Sequence, residues 1–116
     1  MATKLLEARV RSAGETAVID LEGEIDSFAD EALNAAYAAA SQTGSAAILL
    51  NFKNVEYINS TGIALIVGLL AQARKSGRRL LTCNLSPHYQ EIFQITRLAD
   101  FMQIFPDEAS ALAESR

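Results

Sequence analysis

Between Ala46 and Lys75 an apolar strand pattern, a polar knot and an apolar helix pattern follow one another, and few architectures accept that succession. Ala46 to Phe52 is a near-continuous apolar run bounded by turn residues, which predicts a central strand covered on both faces. Asn59-Ser60-Thr61-Gly62 then interrupts the apolar pattern. The next helix is predicted to start near Ser60 and to run toward Lys75, with Ile63, Ile66, Val67 and Leu70 at the i, i+3, i+4, i+7 spacing of a core-facing stripe. Leu65 and Leu69 lie off that stripe, so the helix has more apolar surface than one sheet contact needs. Either a partner docks on them beside Ser60, or helix 1 or the C-terminal helix covers them.

The flanking segments extend the pattern. Leu5, Ala8 and Val10 fit an edge strand, Ser12 to Glu15 a hairpin turn around Gly14, and Thr16 to Glu22 a second strand. Ser27-Phe28-Ala29-Asp30 reads as a helix start, followed by Leu33, Ala36, Tyr37 and Ala40 at helical spacing and a stop at Thr43-Gly44-Ser45. Arg79 to Cys83 forms another strand, and Pro87 after Ser86 opens a short helix containing Ile92 and Phe93. Met102 to Phe105 supplies a last strand, and a final helix begins at Pro106-Asp107 and runs through Ala113. Strands and helices alternate from Ala46 onward, which predicts an α/β fold: a mixed sheet of four to five strands packed with about four helices.

The 116 residues, half of them apolar, predict one domain with a single core spanning 1–116. No run approaches the roughly 20 apolar residues of a membrane span, and the N-terminus lacks the regions of an export signal, so a cytoplasmic protein without membrane insertion is expected. Cys83, the single cysteine, allows no internal disulfide and reads as a packing residue in a strand. A net charge of −4 gives no basic footprint for nucleic acid, and direct nucleic-acid binding is not expected. The local exception, Arg74 to Arg79, straddles a helix end where cations suit the dipole and Gly77 suits the position after the cap.

The knot has its own chemistry. The first N–H groups of a helix lack internal partners, so negative charge is favoured beside them and a phosphate would be accommodated there. Asn59 or Ser60 also serves as an ordinary N-cap. Gly62 leaves one face of the turn without a side chain, open to close approach toward Ser60. A serine needs a base to become a nucleophile, and the single histidine, His88, belongs to a different element near Ser86-Pro87. No nucleophile elbow, phosphate loop or dinucleotide fingerprint is present, so neither an enzyme nor a bound cofactor is expected. Asp20, Glu22, Glu24 and Asp26 alternate as acids that could hold a divalent ion, but a solvated strand edge explains them, and no metal is expected.

Asn51 to Ile63, reading Asn-Phe-Lys-Asn-Val-Glu-Tyr-Ile-Asn-Ser-Thr-Gly-Ile, resembles the STAS domain signature of bacterial anti-sigma factor antagonists, in which a strand leads into Asp-Ser-(Ser/Thr)-Gly. Leu21-Glu22-Gly23-Glu24-Ile25-Asp26 is similar to a second motif of that family. Cys83-Asn84-Leu85-Ser86-Pro87, with Tyr89 to Phe93 and Leu98, is similar to a third. The three motifs cover nearly the whole chain in the family's order.

This resemblance implies a partner switch. Ser60 would be the phosphorylated serine and the partner a serine-kinase-type anti-sigma factor; a phosphatase is a further expected partner, and a monomer or weak dimer the expected state. Unmodified protein would hold the anti-sigma factor and free a sigma factor, and the phosphorylated form would be released. The expected partner-binding residues are Gly23, Glu24, Asp26, Asn59, Ser60, Thr61 and Gly62 at the motifs, with Leu65 and Leu69 from the surplus apolar strip of the helix. Asp26 also fits the N-cap of helix 1, and Thr61 a backbone hydrogen bond in the first turn. Two positions depart from the pattern: Asn59 replaces the usual Asp, and Arg97 stands where Gly is common. A STAS accessory or scaffold subunit that is never phosphorylated, in a signalling or transporter complex, is the alternative.

Overall fold

The structure, a computed structural model, describes residues 4–114. Five strands form one sheet in chain order: β1 (Glu7–Ala13), β2 (Thr16–Ile25), β3 (Ala47–Ile58), β4 (Arg79–Cys83) and β5 (Gln103–Phe105). β1 and β2 are an antiparallel hairpin turning at Gly14, and every later pairing is parallel. The parallel pairings require crossovers, and α1 (Asp30–Gln42), α2 (Ser60–Lys75) and α3 (Pro87–Ile95) supply them. A final helix, α4 (Glu108–Glu114), follows β5.

Strand alternation divides the core in two. Ile19, Leu21, Ile48, Leu50 and Phe52 point to one face, where Leu33, Ala36 and Ala40 of α1, Ile66 and Leu70 of α2 and Phe93 of α3 cover them. Val18, Ala47, Leu49, Leu81 and Cys83 point to the other, where Ala111 and Leu112 of α4 lie. The apolar run of β3 is buried on both faces because helices lie on both sides of it. α4 is also held by Arg11, whose guanidinium bonds Asp20 (2.6 Å) and Glu108.

Two strands outrun their sequence patterns. β2 reaches Ile25 rather than Glu22, and β3 reaches Ile58 rather than Phe52. They extend together, pairing through Glu22↔Asn54 and Ile25↔Ile58 across two register shifts, although most of β3 beyond Phe52 is polar and exposed. Backbone pairing with a neighbour thus carries the strand past the point where apolar alternation ends.

The helix after the knot has the bounds that its pattern predicts, but its core-facing arc is rotated. Ile66, Leu69, Leu70 and Ala73 are buried with Gly62, Ile63 is only partly buried, and Val67 is 46% exposed. α1 packs along one flank of α2, where Gln72 donates to Asn34 (3.2 Å), and Leu69 joins the core cluster that includes α1. Leu69 therefore faces the core on the side of the sheet where α1 packs, and α4 lies on the opposite face.

Candidate functional site

β3 delivers the chain to the end of the sheet, and α2 begins at once. Asn59 is extended (φ −94°, ψ −178°) and caps the helix: its side-chain oxygen accepts from the Gly62 N–H (2.8 Å) and its carbonyl from the Ile63 N–H (3.0 Å). Its own N–H donates to the Ile25 carbonyl (3.2 Å) at the end of β2. Ser60 is then the first helical residue, and both Ser60 and Thr61 are exposed. The capping oxygen is engaged with backbone, which leaves the Ser60 side chain free to face solvent.

Gly62 has an internal role. It is buried, and a Cβ on it would stand 2.0 Å from the Ile25 carbonyl oxygen, so the missing side chain lets α2 start against β2 rather than opening the turn to a partner. Gly23 is likewise buried, at φ +111°, and a Cβ there would meet the Leu5 carbonyl oxygen at 2.7 Å. The neighbouring Glu24 N–H donates to the Lys4 carbonyl (3.0 Å), fastening the N-terminal segment across β2. Gly23, Gly62 and the 2%-exposed Leu69 are therefore corrected from expected partner-facing residues to packing residues.

The others remain at the surface to differing degrees. Asp26 accepts from the Phe28 N–H (2.9 Å) and caps the 3-10 turn Ser27–Ala29, which precedes α1 and packs beside α2. Glu24 and Leu65 are partly exposed. The capped turn displays Phe28 at 74% exposure, and α2 displays Val67 together with Ala64 and Gly68. Sequence reasoning missed Phe28 and Val67 as surface residues. The sequence near Phe28 carried one signal, the capping Asp26, which marks a turn but not the direction of the side chain that follows.

Among the described residues, no hydrogen bond joins the Ser60 hydroxyl to a base. His88 is an exposed residue in the first turn of α3, edge-on to Tyr89 (4.8 Å between ring centroids), and no hydrogen bond among the described residues joins it to Ser60. The Cys83 thiol is buried, and burial pushes it up to about 12, far from a reactive thiolate. Asp20 is held below the usual carboxylate range first by its hydrogen bond to Arg11 and then by Asn51. Glu22 and Glu56 both pair with Lys4. Among the described residues, no cluster of His, Cys, Asp and Glu could hold a metal ion, and no helix is long and apolar enough to cross a membrane.

A family model described as "Mlab, STAS domain" matches residues 8–105. The chain is 33% identical over 86 residues to BtrV of Bordetella bronchiseptica, covering 74% of this chain and 72% of that protein. It is 30% identical over 86 residues to the anti-sigma-B factor antagonist of Staphylococcus aureus, covering 74% and 80%. Among solved structures it resembles an anti-sigma factor antagonist from Mycobacterium paratuberculosis in fold (TM-score 0.83, 21% identity, 96% and 94% covered). It also resembles the Bacillus cell fate determinant SpoIIAA in its phosphorylated form (TM-score 0.70, 28% identity, 94% and 99% covered). On this match over most of its length, the chain belongs to the STAS domain family, among relatives named anti-sigma factor antagonists.

Proposed function

We propose that this protein is a partner-switching regulator that binds a serine-kinase-type anti-sigma factor and is released when Ser60 is phosphorylated. The observation that carries the reading is the placement of Ser60: exposed, first in α2, with Asn59 rather than Ser60 acting as the cap. A kinase partner brings nucleotide, metal and base, so this chain needs only an accessible hydroxyl on a surface that the partner holds. Exposed Phe28 and Val67, with the short side chain of Ala64, provide apolar contact area beside it. The names of the relatives supply the partner class.

Phosphate adds about −1.5 to −2 charges and three acceptor oxygens. At the start of α2 it is compatible with the helix dipole, so the fold is retained. Pressed between two docked surfaces, the same group must lose its water, and the complex dissociates. Asn59 retains the cap but offers no carboxylate to the approaching kinase. That residue favours one second reading, in which the protein is an accessory subunit of a signalling or transport complex and Ser60 is never modified.

The test combines the purified chain with the serine-kinase-type anti-sigma factor of its own genome. Mass spectrometry should place one phosphate on Ser60. Ser60→Ala should keep the complex, and Ser60→Asp should weaken it at least tenfold, about 1.4 kcal/mol. Binding by Ser60→Asp as tight as the parent's would refute the charge mechanism. Phosphate missing from Ser60, with the chain recovered in a kinase-free complex, would move the assignment to the second reading.

A further inference from the structure

β4 ends at Cys83, opposite Asn51, whereas β3 continues to Ile58. Along that overhang β3 has β2 on one side and, among the described residues, no strand on the other. Ile58 is 5% exposed, and its N–H, with no strand to receive it, donates to the phenolic oxygen of Tyr89 in α3 (2.9 Å). Two residues later stands Ser60.

The phenol is itself held in place. Pro87 occupies the first turn of α3, the Ser86 side chain accepts from the Tyr89 N–H (3.3 Å), and the Tyr89 ring lies edge-on to His88. One helical turn along, Phe93 meets Phe52 of β3 edge to face, with centroids 6.0 Å apart. α3 thus grips β3 at two points, and at the one nearer the knot the Tyr89 ring packs on the core while its oxygen holds the Ile58 N–H. On its other side the knot is fixed by β2, where the Ile25 carbonyl accepts the Asn59 N–H and abuts Gly62.

We propose that Tyr89 is a positioning residue for Ser60: by accepting the Ile58 N–H, it fixes the strand-to-helix turn that presents the hydroxyl to the kinase. The inference rests on the reading of Ser60 as phosphoacceptor. It deepens that reading by making presentation of the hydroxyl depend on α3, an element outside the knot. Ala64 and Val67 lie on the exposed side of α2 whereas Tyr89 bonds the end of β3, so presentation and docking can be read separately as kcat and KM.

Tyr89→Phe in the full chain keeps the ring and removes the oxygen. In amide exchange by NMR, the Ile58 and Asn59 amides should exchange at least tenfold faster, while Ile66 and Leu70 in the middle of α2 stay unchanged. With the same-genome serine-kinase-type anti-sigma factor, kcat for Ser60 phosphorylation should fall at least fivefold with KM within twofold of the parent. Site-specific 3-fluorotyrosine at position 89, which restores an oxygen acceptor, should recover the rate. An unchanged kcat in a chain whose parent is phosphorylated overturns the inference. So does a loss spread over kcat and KM with faster exchange throughout α2, since that is general loosening. A parent that takes no phosphate defeats the Ser60 reading and this inference with it, whereas a failure confined to Tyr89→Phe leaves that reading intact.

Discussion

The Cα of Gly62 lies against the carbonyl oxygen of Ile25, with room for no further atom: a Cβ on Gly62 would stand 2.0 Å from that oxygen and 2.8 Å from its carbon. The same carbonyl accepts the Asn59 N–H. One backbone group at the end of β2 therefore sets both the cap and the approach of α2, and with them the position of Ser60.

Gly62→Ala should destabilise the protein by about 3 kcal/mol or more, because the atom encountered is backbone and cannot swing away as a side chain would. Urea unfolding measures it. A loss below about 1 kcal/mol would show that α2 shifts freely at its start.

Gly68 offers the opposite case. It is exposed in the interior of α2, and a Cβ there would meet nothing within 4 Å. Gly68→Ala should raise stability by about 0.5–1 kcal/mol through helix propensity alone. If the outer face of α2 is the docking face, the same change should weaken the anti-sigma factor complex severalfold. Calorimetry on the free chain and on the complex separates the two effects.

Arg97 adopts a left-handed conformation (φ +67°) just after α3, where its N–H donates to the Gln94 carbonyl (3.1 Å). An L-residue pays roughly 1–2 kcal/mol for that region relative to glycine. Its ion pair with Asp100 (2.6 Å) is largely exposed and worth at most about 1 kcal/mol. Arg97→Gly should therefore be neutral to about 1 kcal/mol more stable. Arg97→Val, β-branched in the same conformation, should be less stable than the parent by thermal unfolding.

Cys83 gives a pH signature. Burial raises its thiol to about 12, whereas an unfolded thiol titrates near 8.5. The folded form then keeps the proton that the unfolded form releases, so this contribution is fully present below about pH 8.5 and falls as pH rises toward 12. Subtracting the stability of Cys83→Ala from that of the parent should leave a difference that declines between about pH 9 and 11. At pH 8, labelling of the parent by a thiol reagent should proceed only as fast as the chain opens, and rapid labelling of the folded form would contradict the burial.

Much of this fold was legible in the sequence wherever a residue answers a local need. α2 spans Ser60–Lys75 as its pattern predicts, because the cap at Asn59 and the stop at Gly77 are satisfied within a few residues. Gly77 (φ +71°) closes the helix with its N–H to the Arg74 carbonyl and the Arg78 N–H to the Ala73 carbonyl. Ser86-Pro87 starts α3 by equally local chemistry. The three motifs carried the family and the identity of the exposed serine, since a turn that begins a helix at the end of a strand is written in consecutive residues.

Tertiary structure alone decided what depends on neighbours distant in the chain. Periodicity marks an apolar helix face but not which flank a second helix will occupy, and in the assembled core Leu69 is buried while Val67 stays at the surface. Both glycines of the candidate site proved to be contact points for remote backbone, Gly23 for Leu5 and Gly62 for Ile25. The bond from Ile58 to Tyr89 joins residues 31 apart, and no local pattern announces it. Hydrogen bonds within a turn are specified by adjacent residues, whereas the packing that holds the turn in place is settled only when the strands and helices are assembled.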